Sequence, residues 1–120
     1  MKPALCLALA GLAVLAAPAG AADDADPGRA LYEARCGGCH ALAADRVGPR
    51  HAGVIGRKAG SIAGFAYSPA LARSQIVWTE ESLERWLRDP EALVPGQRMN
   101  FRLGDAEERR RIVEYLSRNR

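Results

Sequence analysis

The chain has 120 residues, with 17 lysines and arginines against 14 aspartates and glutamates, for a formal net charge of +3. That length allows one domain at most, and so mild a charge gives no ground for a nucleic-acid-binding surface. A domain of this size has a thin core and often depends on a staple or a cofactor.

Residues 1–22 read as a secretory signal peptide. Lys2 supplies the positive start, Leu5 to Ala17 form an apolar run, and Ala19-Gly20-Ala21 is a small-residue cleavage site ahead of acidic residues. The apolar run is shorter than the roughly 20 residues of a bilayer span, so no stable membrane insertion is expected. Cys6 leaves with the peptide. The product is an exported protein, expected in the periplasm of a Gram-negative bacterium, made of a single domain from 23 to 120. Without Lys2 the 17 basic residues fall to 16, and all of them except Lys58 are arginine.

The first predicted helix is capped by Asp26, has Pro27 at its first position, carries Ala30, Leu31 and Ala34 at helical spacing, and runs into Cys36. A Gly-rich stretch from Arg46 to Gly64 follows, with no defensible period. A short second helix begins at Ser68-Pro69 and ends near Arg73. Thr79 caps a third, with Glu80 and Glu81 at the positive end of its dipole and Leu83, Trp86 and Leu87 on one face; Asp89-Pro90 stops it. Residues Glu91 to Gly104 form a second irregular segment. The last helix is capped by Asp105, with Glu107 and Glu108 in its first turn and Ile112, Val113 and Leu116 as its stripe. The fold class is all-α, about four helices and two long loops. Loops this long in so small a chain make sense if they wrap something large and apolar.

Cys36-Gly37-Gly38-Cys39-His40 gives that group an identity, because C-x-x-C-H is the attachment signature of c-type haem. The two thiols form thioether bonds to the haem vinyl groups, and His40 becomes the proximal iron ligand. Two glycines between the cysteines let the backbone close tightly around the ring edge. The other readings are a redox-active cysteine pair, which calls for a βαβ context, and half of a zinc site, for which only His51 is near enough to complete four ligands. After signal removal Met99 is the sole methionine. It lies in irregular chain where no amphipathic pattern asks for a core methionine, so it is the expected sixth ligand, a soft thioether that raises the reduction potential. His51 competes for that place and is expected instead to pack on the proximal side or the surface.

The ordered series Gly28 and Tyr32, CGGCH, Gly48-Pro49, Gly53 to Gly60, Gly64 to Ser68, Trp78, Leu87 to Pro90, Val94 to Met99, Phe101 and Tyr115-Leu116 resembles the class I cytochromes c, mitochondrial type and soluble bacterial relatives, along almost the whole mature chain. The resemblance implies the small cytochrome c fold around one covalent haem c. It places Gly28, Tyr32 and Tyr115 where the first and last helices cross. It makes the Pro49 carbonyl the acceptor for the His40 N–H, Arg57, Tyr67 and Trp78 the partners of a haem propionate, and Phe101 a shield beside Met99. The chain departs from the family in the distal pocket, where Trp86 replaces a tyrosine, Leu71 an asparagine, Gln97 a threonine and Arg98 a lysine. A drier pocket is expected.

The function expected is one-electron transfer between redox-partner proteins by a monomer, not an enzyme. Arg35, Arg46, Arg98 and Arg102 would form a partial ring at the haem edge, interrupted by Glu91 where relatives carry lysine. The alternatives are a peroxidase-like haem enzyme, which needs an open iron and a distal acid–base group, and a dedicated cytochrome subunit of an oxidoreductase complex.

Overall fold

The computed structural model describes residues 26–120, together with Met1; the signal and its cleavage site fall outside the described residues. Five helices follow in order: α1 (Pro27–Arg35), α2 (Pro69–Arg73), α3 (Glu80–Arg88), α4 (Pro90–Leu93) and α5 (Ala106–Arg118). The caps are those expected from the sequence. Asp26 accepts from the Gly28 N–H, Ser68 from Leu71, Thr79 from Ser82 and Asp105 from Glu108. Among the described residues the nearest approach to a strand is a single antiparallel bridge between Lys58 and Val77.

α4 corrects the expectation that Glu91 begins an irregular segment. Asp89 closes α3 and also accepts from the Ala92 N–H at 3.1 Å, so the chain turns once more from Pro90 to Leu93. Asp-Pro is a start signal as well as a stop, as Asp26-Pro27 is at α1.

α5 is the spine on which α1 and α3 both pack. Its Ile112 is fully buried, and Tyr32, Leu83, Leu87, Val113, Tyr115 and Leu116 close around it. The α1–α5 crossing depends on Gly28. A Cβ there would lie 2.8 Å from the Arg111 carbonyl oxygen and 3.0 Å from the Tyr115 Cβ, well inside van der Waals contact. The crossing continues through Tyr32 and Tyr115, whose ring centroids are 5.4 Å apart.

Arg109, absent from the sequence reading of α5, joins the helices through charge. Its guanidinium is buried, donates to Glu84 on α3 at 2.7 Å, and donates to the Leu103 and Gly104 carbonyls at 2.7 and 2.9 Å. The signal was present, since residues 109, 112, 113 and 116 share one helical face.

Candidate haem site

The motif sits where α1 runs out. Cys36 keeps helical geometry as the C-cap of α1, and the next turn closes back on it, with the Cys39 and His40 N–H groups donating to the Cys36 carbonyl at 3.1 and 2.9 Å. Two thiols and an imidazole therefore leave one turn of chain. Both cysteines are free. Burial, with Cys39 adding to it, pushes the Cys36 thiol up to about 11, the opposite of the thiolate that a redox pair needs. The two glycines are not equivalent. A Cβ on Gly37 would run into the Glu33 carbonyl, whereas one on Gly38 would meet nothing, so the tight closure expected of both belongs to Gly37 alone.

The His40 ring is oriented before anything binds to it. Its Nδ1 lies 2.8 Å from the Pro49 carbonyl; a carbonyl can only accept, so Nδ1 carries the proton and Nε2 keeps its lone pair. The Gly48 backbone presses so closely on the imidazole that a Cβ would collide with it. His51 stacks on the ring, with centroids 4.0 Å apart and planes 20° apart, and its own Nδ1 is hydrogen-bonded to the Tyr32 hydroxyl at 3.0 Å. Burial, then His40 and Arg57, push His51 down to about 3, so it stays neutral. Burial also lowers His40, against the opposing pull of the Pro49 carbonyl. Among the described residues no group of three or more His, Cys, Asp or Glu side chains is placed to hold a metal ion, which removes the zinc reading.

Met99 and Phe101 are half-buried and pack on the same core as Cys36, Leu31, Leu42, Ile55, Leu71 and Leu93. This half-covered apolar wall runs from the motif to the methionine segment, a surface that a flat hydrophobic group would complete. Trp86 is buried edge-on to Trp78, with centroids 5.4 Å apart.

Arg57, Tyr67 and Trp78 come to one side of the fold. The Trp78 N–H donates to the Arg57 carbonyl at 2.9 Å, and the Tyr67 hydroxyl accepts from the Ile62 N–H at 3.2 Å. The Arg57 guanidinium donates to the Arg50 carbonyl at 2.8 Å and, more closely, to that of Ala52. Its fork carries five donors, so others remain. Trp78 itself is buried. Among the described residues the Gln97 Oε1 is the one buried side-chain polar atom without a partner. Unused donors beside an apolar wall, two free thiols and an imidazole with a bare Nε2 all fit an apolar macrocycle bearing carboxylates.

The arginine ring is weaker than the sequence suggests. Arg35 is held by both oxygens of Glu108 at 2.8 and 2.9 Å, and Arg102 by Asp89 at 3.1 Å. Arg46 donates to the Gly37 and His40 carbonyls and, among the described residues, has no ion-pair partner. Glu91, which the sequence presents as an interruption of the ring, instead accepts two hydrogen bonds from the methionine segment.

The family model described as cytochrome c matches residues 25–119. The chain is 46% identical to cytochrome c2 of Blastochloris viridis, over 76% of this chain and 75% of that protein. It is 40% identical to cytochrome c 2.1 of Caenorhabditis briggsae, over 79% of this chain and 88% of that protein. Among solved structures it is similar to cytochrome cH from Methylobacterium extorquens, with a TM-score of 0.71 and 36% identity over 76% of this chain and 94% of that one. Ferricytochrome c2 from Rhodopseudomonas palustris gives a TM-score of 0.72 and 34% identity over 78% and 96%.

Proposed function

The chain belongs to the cytochrome c family, whose members carry one covalent haem c and transfer electrons rather than transform a substrate, and we propose that Cys36, Cys39, His40 and Met99 are the residues through which it does so. The observation that carries the assignment is the turn at 36–40, where two free thiols and an imidazole with its lone pair on Nε2 leave the chain together.

Bound haem supplies a one-electron Fe(III)/Fe(II) couple. Cys36 and Cys39 tether its edge. His40 presents Nε2, held in register by the Pro49 carbonyl on one side and the His51 ring on the other. Met99 presents a neutral thioether, which favours the reduced metal. Trp86, Leu71 and Phe101 keep water from the pocket and offer no distal acid or base, which supports a carrier over a peroxidase-like enzyme. Arg57, Tyr67 and Trp78 supply donors for a propionate. The Pro49 carbonyl and the His51 ring on one side and the core packing of Met99 on the other would hold both ligands in place as the haem changes oxidation state.

The same reading has residues 1–22 directing export and the 23–120 domain working in the periplasm as a monomer between two redox proteins. The apolar run and cleavage site support it, as does a family match that begins at residue 25. Among the described residues no helix is long and apolar enough to cross a membrane. Arg46 beside the motif and the exposed Arg98 of the methionine segment are charges open to an acidic partner.

A potentiometric titration of the purified holoprotein, followed optically, tests the ligand set. One one-electron step, a low-spin spectrum and an iron–thioether charge-transfer band in the ferric state are expected. Met99→Ala should abolish that band and lower the potential; a band that survives the substitution refutes the assignment of Met99.

A further inference from the structure

We propose that Asp89 and Glu91 form a two-armed staple that pins both legs of the segment carrying Met99 and so holds the thioether in place against competing ligands. The inference rests on Met99 being the axial ligand.

The segment leaves α4 at Val94 and rejoins the core at Leu103. At its ends the Val94 N–H donates to the Pro90 carbonyl at 2.9 Å and the Leu103 N–H to the Leu87 carbonyl at 2.8 Å. Between them, in the bow of residues 95–102, Met99 and Phe101 pack on the core, but among the described residues no backbone–backbone hydrogen bond ties the bow to another part of the chain. Among the described residues its own bonds at 98–101 are local, from Asn100 to Arg98 at 3.1 Å and from Phe101 to Met99 at 2.8 Å. Short local turns shape a loop but do not fix it to anything.

The two carboxylates supply what the bow lacks. On the incoming leg, Glu91 Oε1 accepts from the Gly96 N–H at 2.9 Å and Oε2 accepts from Gln97 Nε2 at 3.1 Å. Gly96 makes this reach possible, since the chain reverses there at φ +89°, a conformation that suits glycine. On the outgoing leg, Asp89 Oδ1 forms an exposed ion pair with the Arg102 guanidinium at 3.1 Å while also capping α4 through Ala92. Met99 thus lies between a hydrogen-bonded attachment that ends at Gln97, two residues before it, and an ion-paired one at Arg102, three residues after it. Pro90, Glu91, Gln97, Met99, Phe101 and Arg102 line a cavity of about 430 Å³ beneath the bow, which leaves the segment room to swing unless its legs are tied.

The test is displacement of the thioether by added imidazole in the ferric holoprotein, read as loss of the iron–thioether band. The band is first recorded in the wild type; if it is missing there, the axial assignment fails and the staple falls with it. With the band present, Glu91→Ala should raise imidazole affinity about fivefold to tenfold, the span expected for losing charge-assisted hydrogen bonds, and Arg102→Ala about threefold to fivefold, the upper range for an exposed ion pair. Their effects should multiply in the double variant. Glu91→Gln, which keeps an acceptor for Gly96 but offers an amide to the Gln97 amide, should fall between wild type and alanine. The denaturant midpoint of each variant should stay at the wild-type value. Affinities within twofold of wild type overturn the staple. A rise in affinity matched by an equal loss of global stability overturns it too, because general loosening would then account for both.

Discussion

Replacing Arg109 with alanine removes the one charged side chain that binds α3, α5 and the returning end of the methionine segment together. The Leu103 carbonyl, on a residue 5% exposed, loses its donor out of reach of water, which costs about 1–3 kcal/mol. Glu84 suffers less. It keeps Arg88 at 2.8 Å and has 28% of its side chain open to solvent, so its share is about 0.5–1 kcal/mol. Deleting the buried arginine stem adds about 1 kcal/mol of lost packing. The sum is about 2.5–5 kcal/mol, which for a domain below a hundred residues lowers Tm by roughly 10–40 °C. Thermal unfolding of the holoprotein followed by circular dichroism measures it. Arg109→Lys keeps the charge but not the fork that spans two carbonyls and a carboxylate, so it should lose about half as much. An Arg109→Ala protein melting within about 4 °C of wild type would refute the reasoning.

Gly28→Val should cost on the order of 2–3 kcal/mol in urea unfolding, because the new Cβ meets the Arg111 carbonyl and the Tyr115 Cβ; a stabilised variant, as at an exposed helical glycine, would show that the crossing is looser than drawn. The Arg109 hydrogen bond, helped by Arg88, holds the Glu84 carboxyl below its usual 4.5. The pair therefore stabilises the fold fully above about pH 4.5 and loses that contribution as pH falls through the lower folded value. Tm measured from pH 6 to pH 2 should accordingly fall more in the wild type than in Glu84→Gln, and parallel curves would exclude the linkage. With Arg35 and Arg102 held by Glu108 and Asp89, electron transfer to an acidic partner should slow by less than about tenfold between low and high salt. A stopped-flow salt series showing a hundredfold change would mean that those ion pairs open on docking.

Four of the five helices are readable because each begins with a signal that acts locally: Asp26-Pro27, Ser68-Pro69, Thr79 and Asp105 each accept from an N–H two or three residues on, while the same signal at Asp89-Pro90 reads first as a stop. The haem-binding turn was readable for the same reason, since its ligands are contiguous. What escaped were contacts whose partners are distant or whose residue type suggested something simpler. Arg109 was passed over because charge on a helix is ordinarily solvated, and only the neighbouring carbonyls of Leu103 and Gly104 reveal why it is buried. Glu91 was judged by the sign of its charge, whereas its role follows from Gly96 turning back toward it. Arg35 was counted toward a docking surface because nothing within a turn of it announces Glu108, which lies on a different helix.

Arg118, near the end of α5, donates to Asp26, the cap of α1, at 2.6 Å, so the first and last turns of the folded unit lie side by side. A unit whose two ends meet at one point occupies a single port on any larger polypeptide. It is suited to be spliced whole into a surface loop of another protein, entering and leaving through adjacent positions, without spreading the host's chain or disturbing its own packing.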